Sequence, residues 1–180
     1  KAAAPWTLYG ASKMVGEGLV LGRQATIGNR PTRFAVVRYG NVTGSNGSVV
    51  PLFKRMKATG KLHITSPLMT RFVISLPDAA RFVVRSLSDM RGGEVMVPRM
   101  PSLRVTDLAK AIAPECEHVL IGLRGKEKIH EELILPCDFY DEEPDRFILH
   151  PGGSKSGLRY ASDTNGDWLS VEQLRGLVGE

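Results

Sequence analysis

Thr32-Arg-Phe-Ala-Val-Val-Arg38, running into Tyr39-Gly-Asn-Val-Thr-Gly-Ser-Asn-Gly-Ser48, decides the fold. The first half follows a chain break at Asn29-Arg30-Pro31, is apolar at its centre, and reads as a strand buried on both faces, as in a parallel sheet. The second half sets Gly40, Gly44 and Gly47 among polar residues. Such a loop leaves the C-terminal end of a strand, where open α/β sheets bind their ligands. Upstream, Thr7–Ala25 carries Leu8, Met14, Leu19, Val20 and Leu21 with Gly10, Ala11, Ser12 and Gly16 between them, predicting a helix that packs closely.

Downstream the elements are short and mixed. Val49–Ala58 predicts an amphipathic helix and Leu62–Thr65 a strand. Met69–Ser75 reads as a loop entering a strand, and Pro77–Leu87 as a helix opened by Pro-Asp. Glu94–Val97 and His118–Gly122 read as strands. Thr106 is expected to cap a helix through Ala113, and Ser170, with Glu172-Gln173 in its first turn, to cap one through Val178. Lys128–Leu135 fits no type, Pro136–Pro144 reads as an acidic loop, and Phe147–Leu149 as a last strand. The order gives an α/β fold: the C-terminal part of a doubly wound, Rossmann-type parallel sheet with a small α+β substrate-binding cap. Residues 1–48 are assigned to the last part of a NAD(P)-binding domain. Residues 49–180 are assigned mainly to the substrate region, with some return to the sheet.

Composition narrows the function. The 180 residues hold 24 Lys+Arg against 19 Asp+Glu, a net charge of +5. That excess suits a phosphorylated ligand, and its scatter, without Lys/Arg runs or an aromatic ladder, argues against nucleic acid. Cys116 and Cys137 share no CxxC spacing and no His cluster, so free thiols and no metal are expected. No apolar run approaches the ~18 residues of a membrane span and no signal peptide is visible, so a cytoplasmic location is expected. Lys1 is neither an initiator Met nor part of a start-like segment, so the chain reads as part of a longer protein.

Chemistry enters at Tyr9-Gly-Ala-Ser-Lys13. Residues four apart share a helix face, so the Lys13 ammonium lies beside the Tyr9 phenol. A fixed cation favours the phenolate and suits the pair to taking a proton from a sugar hydroxyl. The same spacing also describes an ordinary solvated surface pair.

The remaining motifs turn the balance. Tyr9-x-x-x-Lys13 is found with Arg38-Tyr-Gly-Asn-Val-x-Gly-Ser-x-Gly-Ser-Val-Val-Pro51, Met69-Thr-Arg-Phe72 and Val97-Pro-x-x-Pro-Ser102. Further on come Thr106-Asp-Leu-Ala-Lys110, Gly122-Leu-Arg-x-x-Glu-Lys-Ile-His-Glu131 and Arg159-Tyr-Ala-Ser-x-x-Asn-x-x-Trp-Leu169. In this order they resemble the inverting UDP-N-acetylglucosamine 4,6-dehydratases of pseudaminic acid biosynthesis, among the extended short-chain dehydrogenase/reductases. The resemblance implies NADP as cofactor, a UDP-sugar substrate and a homo-oligomer. Tyr9 would take the proton of the sugar 4-hydroxyl. Lys13, with Tyr9 and Tyr39, would bind the cofactor. Lys1, at the place of the family's Thr-Asp-Lys lysine, would remove the C5 proton; on residue type alone a terminal lysine is simply solvated. The acid and the nucleotide-binding turn would lie upstream, leaving this chain inactive by itself.

For the substrate, the resemblance implies Asn41, with Val42, Thr43, Gly44, Ser45 and Asn46 offering N–H groups to phosphate. Arg71 and Arg124 would meet the diphosphate, which suits the guanidinium fork, and Glu127 the ribose hydroxyls; surface ion pairs are the alternative for these three. His130 is read as a polar partner. The chain departs from the family pattern at Ser66, where an acid is usual, at Asn46, where Arg or Lys is common, and at Arg124-Gly-Lys-Glu127, in place of Arg-Pro-Gly-Glu. A retaining 4,6-dehydratase and a non-catalytic nucleotide-sugar or nucleic-acid binding protein on the same fold are the rival readings.

Overall fold

A computed structural model describes residues 1–44, 49–123, 125 and 127–179. In chain order it contains α1 (Leu8–Thr26), β1 (Val36–Val37), β2 (Asn41–Val42), α2 (Val49–Lys57), β3 (Lys61–Ile64), β4 (Thr70–Ile74), α3 (Leu76–Asp89) and β5 (Val95–Pro98). There follow β6 (Ser102–Arg104), α4 (Val105–Ile112), β7 (Glu117–Leu120), β8 (Glu132–Ile134), β9 (Tyr140–Glu142), β10 (Arg146–Leu149), β11 (Tyr160–Ala161) and α5 (Val171–Val178). The chain forms two units and passes between them repeatedly. One contains 1–39, 77–99 and 132–160, the other 40–76, 100–131 and 161–180.

The first unit is built on a mixed sheet in the order β1-β5-β10-β9. β1 lies parallel to β5, with Val36 opposite Val95 and Val37 opposite Met96, and β10 and β9 follow antiparallel. Thr7 caps α1, its hydroxyl accepting the Gly10 N–H at 3.1 Å. At the far end of α1, Gln24 Oε1 accepts the Phe34 N–H at 2.7 Å and turns the chain into β1. β1 departs from the expected strand buried on both faces. Among the described residues it has a strand neighbour on one edge only, so Val36 and Val37 are half-buried.

The expected acidic loop at 136–144 contains a strand. Its acids serve as side-chain partners along an edge: Asp141 accepts from Ser154 N–H (2.9 Å) and Oγ–H (2.7 Å) and meets His150 Nε2 at 2.7 Å. Glu142 holds Lys155 at 2.6 Å and also pairs with Arg99. Arg146, buried, is bound by Glu143 at 2.6 Å and Asp89 at 2.7 Å. Burial alone would lower its pKa; those two carboxylates outweigh it and raise it.

The second unit packs α2, α4 and α5 with β3 and β4 around Phe53, Leu62, Ile64, Val73, Leu108 and Leu174. β2 runs parallel to β4, β4 antiparallel to β6, and β3 parallel to β7. Ser170 caps α5 through the expected capping box, reciprocated by Gln173. Thr106, expected as a cap, lies inside α4, whose N-cap position is Arg104 with no side-chain hydrogen bond. β6 runs straight into this helix, and the Val105 N–H finds its acceptor on Met69 O, 3.0 Å away.

The tail motif is structural. The Asn165 carboxamide donates to Met100 O (2.8 Å), Ser102 Oγ (3.1 Å) and Asp167 O (3.0 Å), while Leu169 N–H reaches Ser102 O at 2.9 Å. Arg104 stacks over Trp168 at 4.5 Å. Two separated sequence blocks thus meet along β6.

Candidate active site

The chemistry-bearing residues of the first unit converge on Tyr9. It stands in the first turn of α1, 56% exposed, and the Nζ atoms of Lys1 and Lys13 each lie 5.1 Å from the centre of its ring. Lys13 arrives by helix geometry, one turn on. Lys1 arrives because the leading segment folds over the start of α1. A Cβ on Gly10 would stand 3.1 Å from Lys1 O and 3.2 Å from Pro5 Cβ, so the absence of a side chain lets that segment approach. The helix N-terminus adds its own partial positive charge beside the phenol. No described residue takes a hydrogen bond from the Tyr9 hydroxyl or the Lys13 ammonium. A phenol and an ammonium held side by side and open to solvent form a donor set that fits a ribose diol. Tyr39 is exposed at the end of the strand after α1.

Behind Tyr9, Glu17 lies one further turn along α1. It takes Arg38 in a two-pronged pair, with Nε–Oε2 at 2.8 Å, and Arg38 also donates to Leu133 O at 2.9 Å. Asp138 stands 3.5 Å away. Burial opposes the charge on Arg38, but Glu17 and Asp138 outweigh it and raise its pKa. Sequence reasoning passed over this pair; its signal is Glu17 following Lys13 at helical spacing, opposite an arginine ending a buried strand. A cleft of about 1100 Å³ is also in this unit, and Glu17, Arg38, Asp138, Arg146 and His150 line it. Neither Tyr9 nor Lys13 does, and Arg38 and Arg146, two of the arginines that line it, are bound to carboxylates, so it is set apart from the candidate chemistry.

In the second unit, Asn41 presents an exposed side chain from β2. Gly40 before it has no room for a side chain: a Cβ would lie 2.5 Å from Phe72 Cβ and 2.8 Å from Phe72 O. Val42 is half-buried, and both the N–H (3.0 Å) and the hydroxyl (3.3 Å) of Thr43 donate to Ile74 O. The Thr43 N–H is therefore committed to β4 and is withdrawn from the phosphate-binding role expected of it. Gly44 takes φ +74° and opens on a cleft of about 420 Å³ shared with Val50, Pro51, Lys54 and Arg55. Ser45, Asn46 and Arg124 lie outside the described residues.

Arg71 is largely buried. Its NH1 donates to Thr70 O (2.6 Å) and Ile129 O (2.9 Å), its NH2 to Lys128 O (2.9 Å), and Nε lies 3.5 Å from Glu131. Desolvation lowers its pKa against the pull of Glu131 and Glu127. Arg71 thus pins the backbone of 128–129, with these donors already spent on protein. Glu127 is exposed on the same segment, and His130 is a polar partner of Thr70, as expected. Among the described residues no cluster of His, Cys, Asp and Glu could hold a metal, and no helix is long and apolar enough to cross a membrane.

Comparison with known proteins shows the family. The profile of the polysaccharide biosynthesis protein family matches residues 1–148. The chain belongs to that family. Proteins from two Campylobacter jejuni strains, each named UDP-N-acetylglucosamine 4,6-dehydratase (inverting), are 40% identical over 99% of this chain and 60% of their own length. The X-ray structure of Pen from Bacillus thuringiensis superposes with a TM-score of 0.85 at 31% identity, covering 98% of this chain and 58% of Pen. The chain therefore spans about 60% of the length of the curated relatives it matches. Its fold is the expected α/β one, part of a doubly wound sheet with a smaller α+β region. A hexosamine 5,6-dehydratase superposes at a TM-score of 0.56 and 22% identity, a likeness of fold alone.

Proposed function

We infer that the protein acts as a polysaccharide-family dehydratase on UDP-N-acetylglucosamine, removing water across C5 and C6 with inversion at C5. The observation that carries the reading is the convergence of Lys1 and Lys13 on the Tyr9 ring, 5.1 Å each. Relatives named for this reaction support it. Bound at Tyr9 and Lys13, a nicotinamide cofactor, assigned by resemblance as NADP, would supply a reversible hydride acceptor.

Tyr9, as phenolate, takes the proton of the sugar 4-hydroxyl as C4 becomes a ketone. Lys13 holds the cofactor ribose and keeps positive charge beside the phenolate. The 4-ketone acidifies the proton on C5, and Lys1, beside the same ring, is assigned to collect it. Loss of hydroxide from C6 needs a proton donor, and none of the residues described above is assigned that task. With hydride restored at C6 and a proton delivered to the opposite face of C5, the product is the inverted 4-keto-6-deoxy sugar and the reaction is redox-neutral. Asn41 and Gly44 are assigned to the UDP-sugar, and Glu127 to its ribose. A place in pseudaminic acid synthesis and a homo-oligomeric state extend the same reading.

The test is incubation of the full-length protein with UDP-N-acetylglucosamine in deuterium oxide, followed by NMR. A 4-keto-6-deoxy product of inverted configuration carrying deuterium at C5 is expected. A product that retains the C5 configuration assigns the protein to the retaining class, and the absence of any dehydrated product sinks the reading.

A further inference from the structure

Segment 127–131 of the second unit carries two polar groups for which the described residues provide no partner. The first is one nitrogen of His130, and a buried relay fixes its chemistry. The Glu131 N–H donates to Ser162 Oγ at 2.9 Å. Ser162 is fully buried, and the acceptor within reach of its own proton is Thr70 Oγ1, 2.7 Å away. Thr70, also buried, then directs its proton to His130 Nδ1 at 2.8 Å. A backbone N–H can only donate, and a buried hydroxyl left without an acceptor is costly, so the relay runs in one direction. His130 Nδ1 is the acceptor at its end. The proton of the neutral ring therefore sits on Nε2, which makes no hydrogen bond to a described residue.

The second group is the Lys128 ammonium. Its Nζ is shielded from solvent and has no hydrogen-bond partner among the described residues. Lys128 as a whole is half-buried, so rotation of its terminal bonds can carry Nζ outward. The backbone between the two groups is fixed: Arg71 holds the Lys128 and Ile129 carbonyls, and the Thr70 N–H also donates to Ile129 O at 3.0 Å. A shielded ammonium without an acceptor, two residues from an N–H donor of fixed tautomer on a pinned backbone, is a donor set suited to an anionic oxygen ligand.

We propose that Lys128 and His130 form a diphosphate subsite, with Lys128 meeting the charge and His130 Nε2–H donating to a phosphate oxygen of the nucleoside diphosphate. This rests on the UDP-sugar reading above and assigns it two further binding residues. Calorimetry on the full-length protein, with UDP and with uridine as probes, tests it. His130→Asn keeps an amide where Nδ1 stands, so Thr70 retains a partner, but removes the Nε2 donor; Lys128→Met removes the charge. Each is expected to weaken UDP about tenfold and leave uridine unchanged. Unchanged UDP affinity in both variants, with wild-type binding intact, overturns the subsite alone. Equal weakening toward uridine overturns the diphosphate assignment. Failure of the wild-type protein to bind UDP overturns the UDP-sugar reading and the subsite with it.

The relay has its own readout in NMR of selectively 15N-labelled histidine. The imidazole signal lost in His130→Asn should report the Nε2–H tautomer in wild type and lose that preference in Thr70→Val. An Nδ1–H signal in wild type contradicts the proposal.

Discussion

Tyr9 is the residue on which the chemical account turns, and its environment makes separable predictions. In the full-length protein, Tyr9→Phe should lower kcat by about 10²–10⁴-fold, the usual worth of a positioned acid–base group, with KM little changed. Lys13→Met should raise the KM for the nicotinamide cofactor as well as lower kcat, because its ammonium is assigned to both tasks; a kcat effect alone would remove it from the cofactor. Gly40 supplies a prediction about stability. Gly40→Ala places a Cβ against Phe72 Cβ and its carbonyl, both within 2.8 Å, and should cost about 1–3 kcal/mol in denaturant unfolding. The residue scale was also only partly legible in the sequence. Helical spacing gives Tyr9 beside Lys13, whereas Lys1 reaches the same ring through a fold-back that no local pattern encodes, its role being implied only by the family resemblance. The His130 relay joins positions 60 and 92 apart in sequence, and no local pattern encodes it.

Among the elements, the bounds of the longer ones follow from their residues, although α1 does not show the close packing expected of its apolar residues: Leu8, Met14 and Leu19 are exposed. α1 begins after the Thr7 cap, α5 after the Ser170 box, and β3, β5 and β10 each lie within a residue of their apolar runs. Strands β6, β8, β9 and β11 escape such reading because they are two or three residues long and defined by remote partners. β9 was further disguised by its carboxylates. Ser154, through its hydroxyl and then its N–H, and after it His150, hold the Asp141 carboxyl well below the usual carboxylate range. A depressed folded-state pKa gives stability that is present above the unfolded value of about 3.9 and lost as pH falls through the folded one. The Tm of wild type should therefore fall more steeply below pH ~4 than that of Asp141→Asn; parallel curves would deny Asp141 this role. At the other end of the chain, Ser170→Ala should destabilise by about 1 kcal/mol in thermal melts, as expected for loss of an N-cap.

For the whole molecule, the order helix, strand and Gly-rich loop identifies an α/β fold, but composition alone does not reveal that the chain alternates between two units three times over. That alternation is set by which strands find partners, as when Val97-Pro-x-x-Pro-Ser102 leads from β5 in one unit to β6 in the other. Since the chain spans about 60% of its relatives' length, residues 1–180 alone are expected to show no turnover, measured as dehydrated product by NMR. The central claim is that one sugar is oxidised at C4, dehydrated and reduced at C6 within a single active site. Its most direct test is UDP-N-acetylglucosamine deuterated at C4, turned over by the full-length protein with unlabelled cofactor. The account predicts that the deuterium reappears at C6 of the same product molecule. Label retained at C4, or released from the sugar into the cofactor pool, would contradict it.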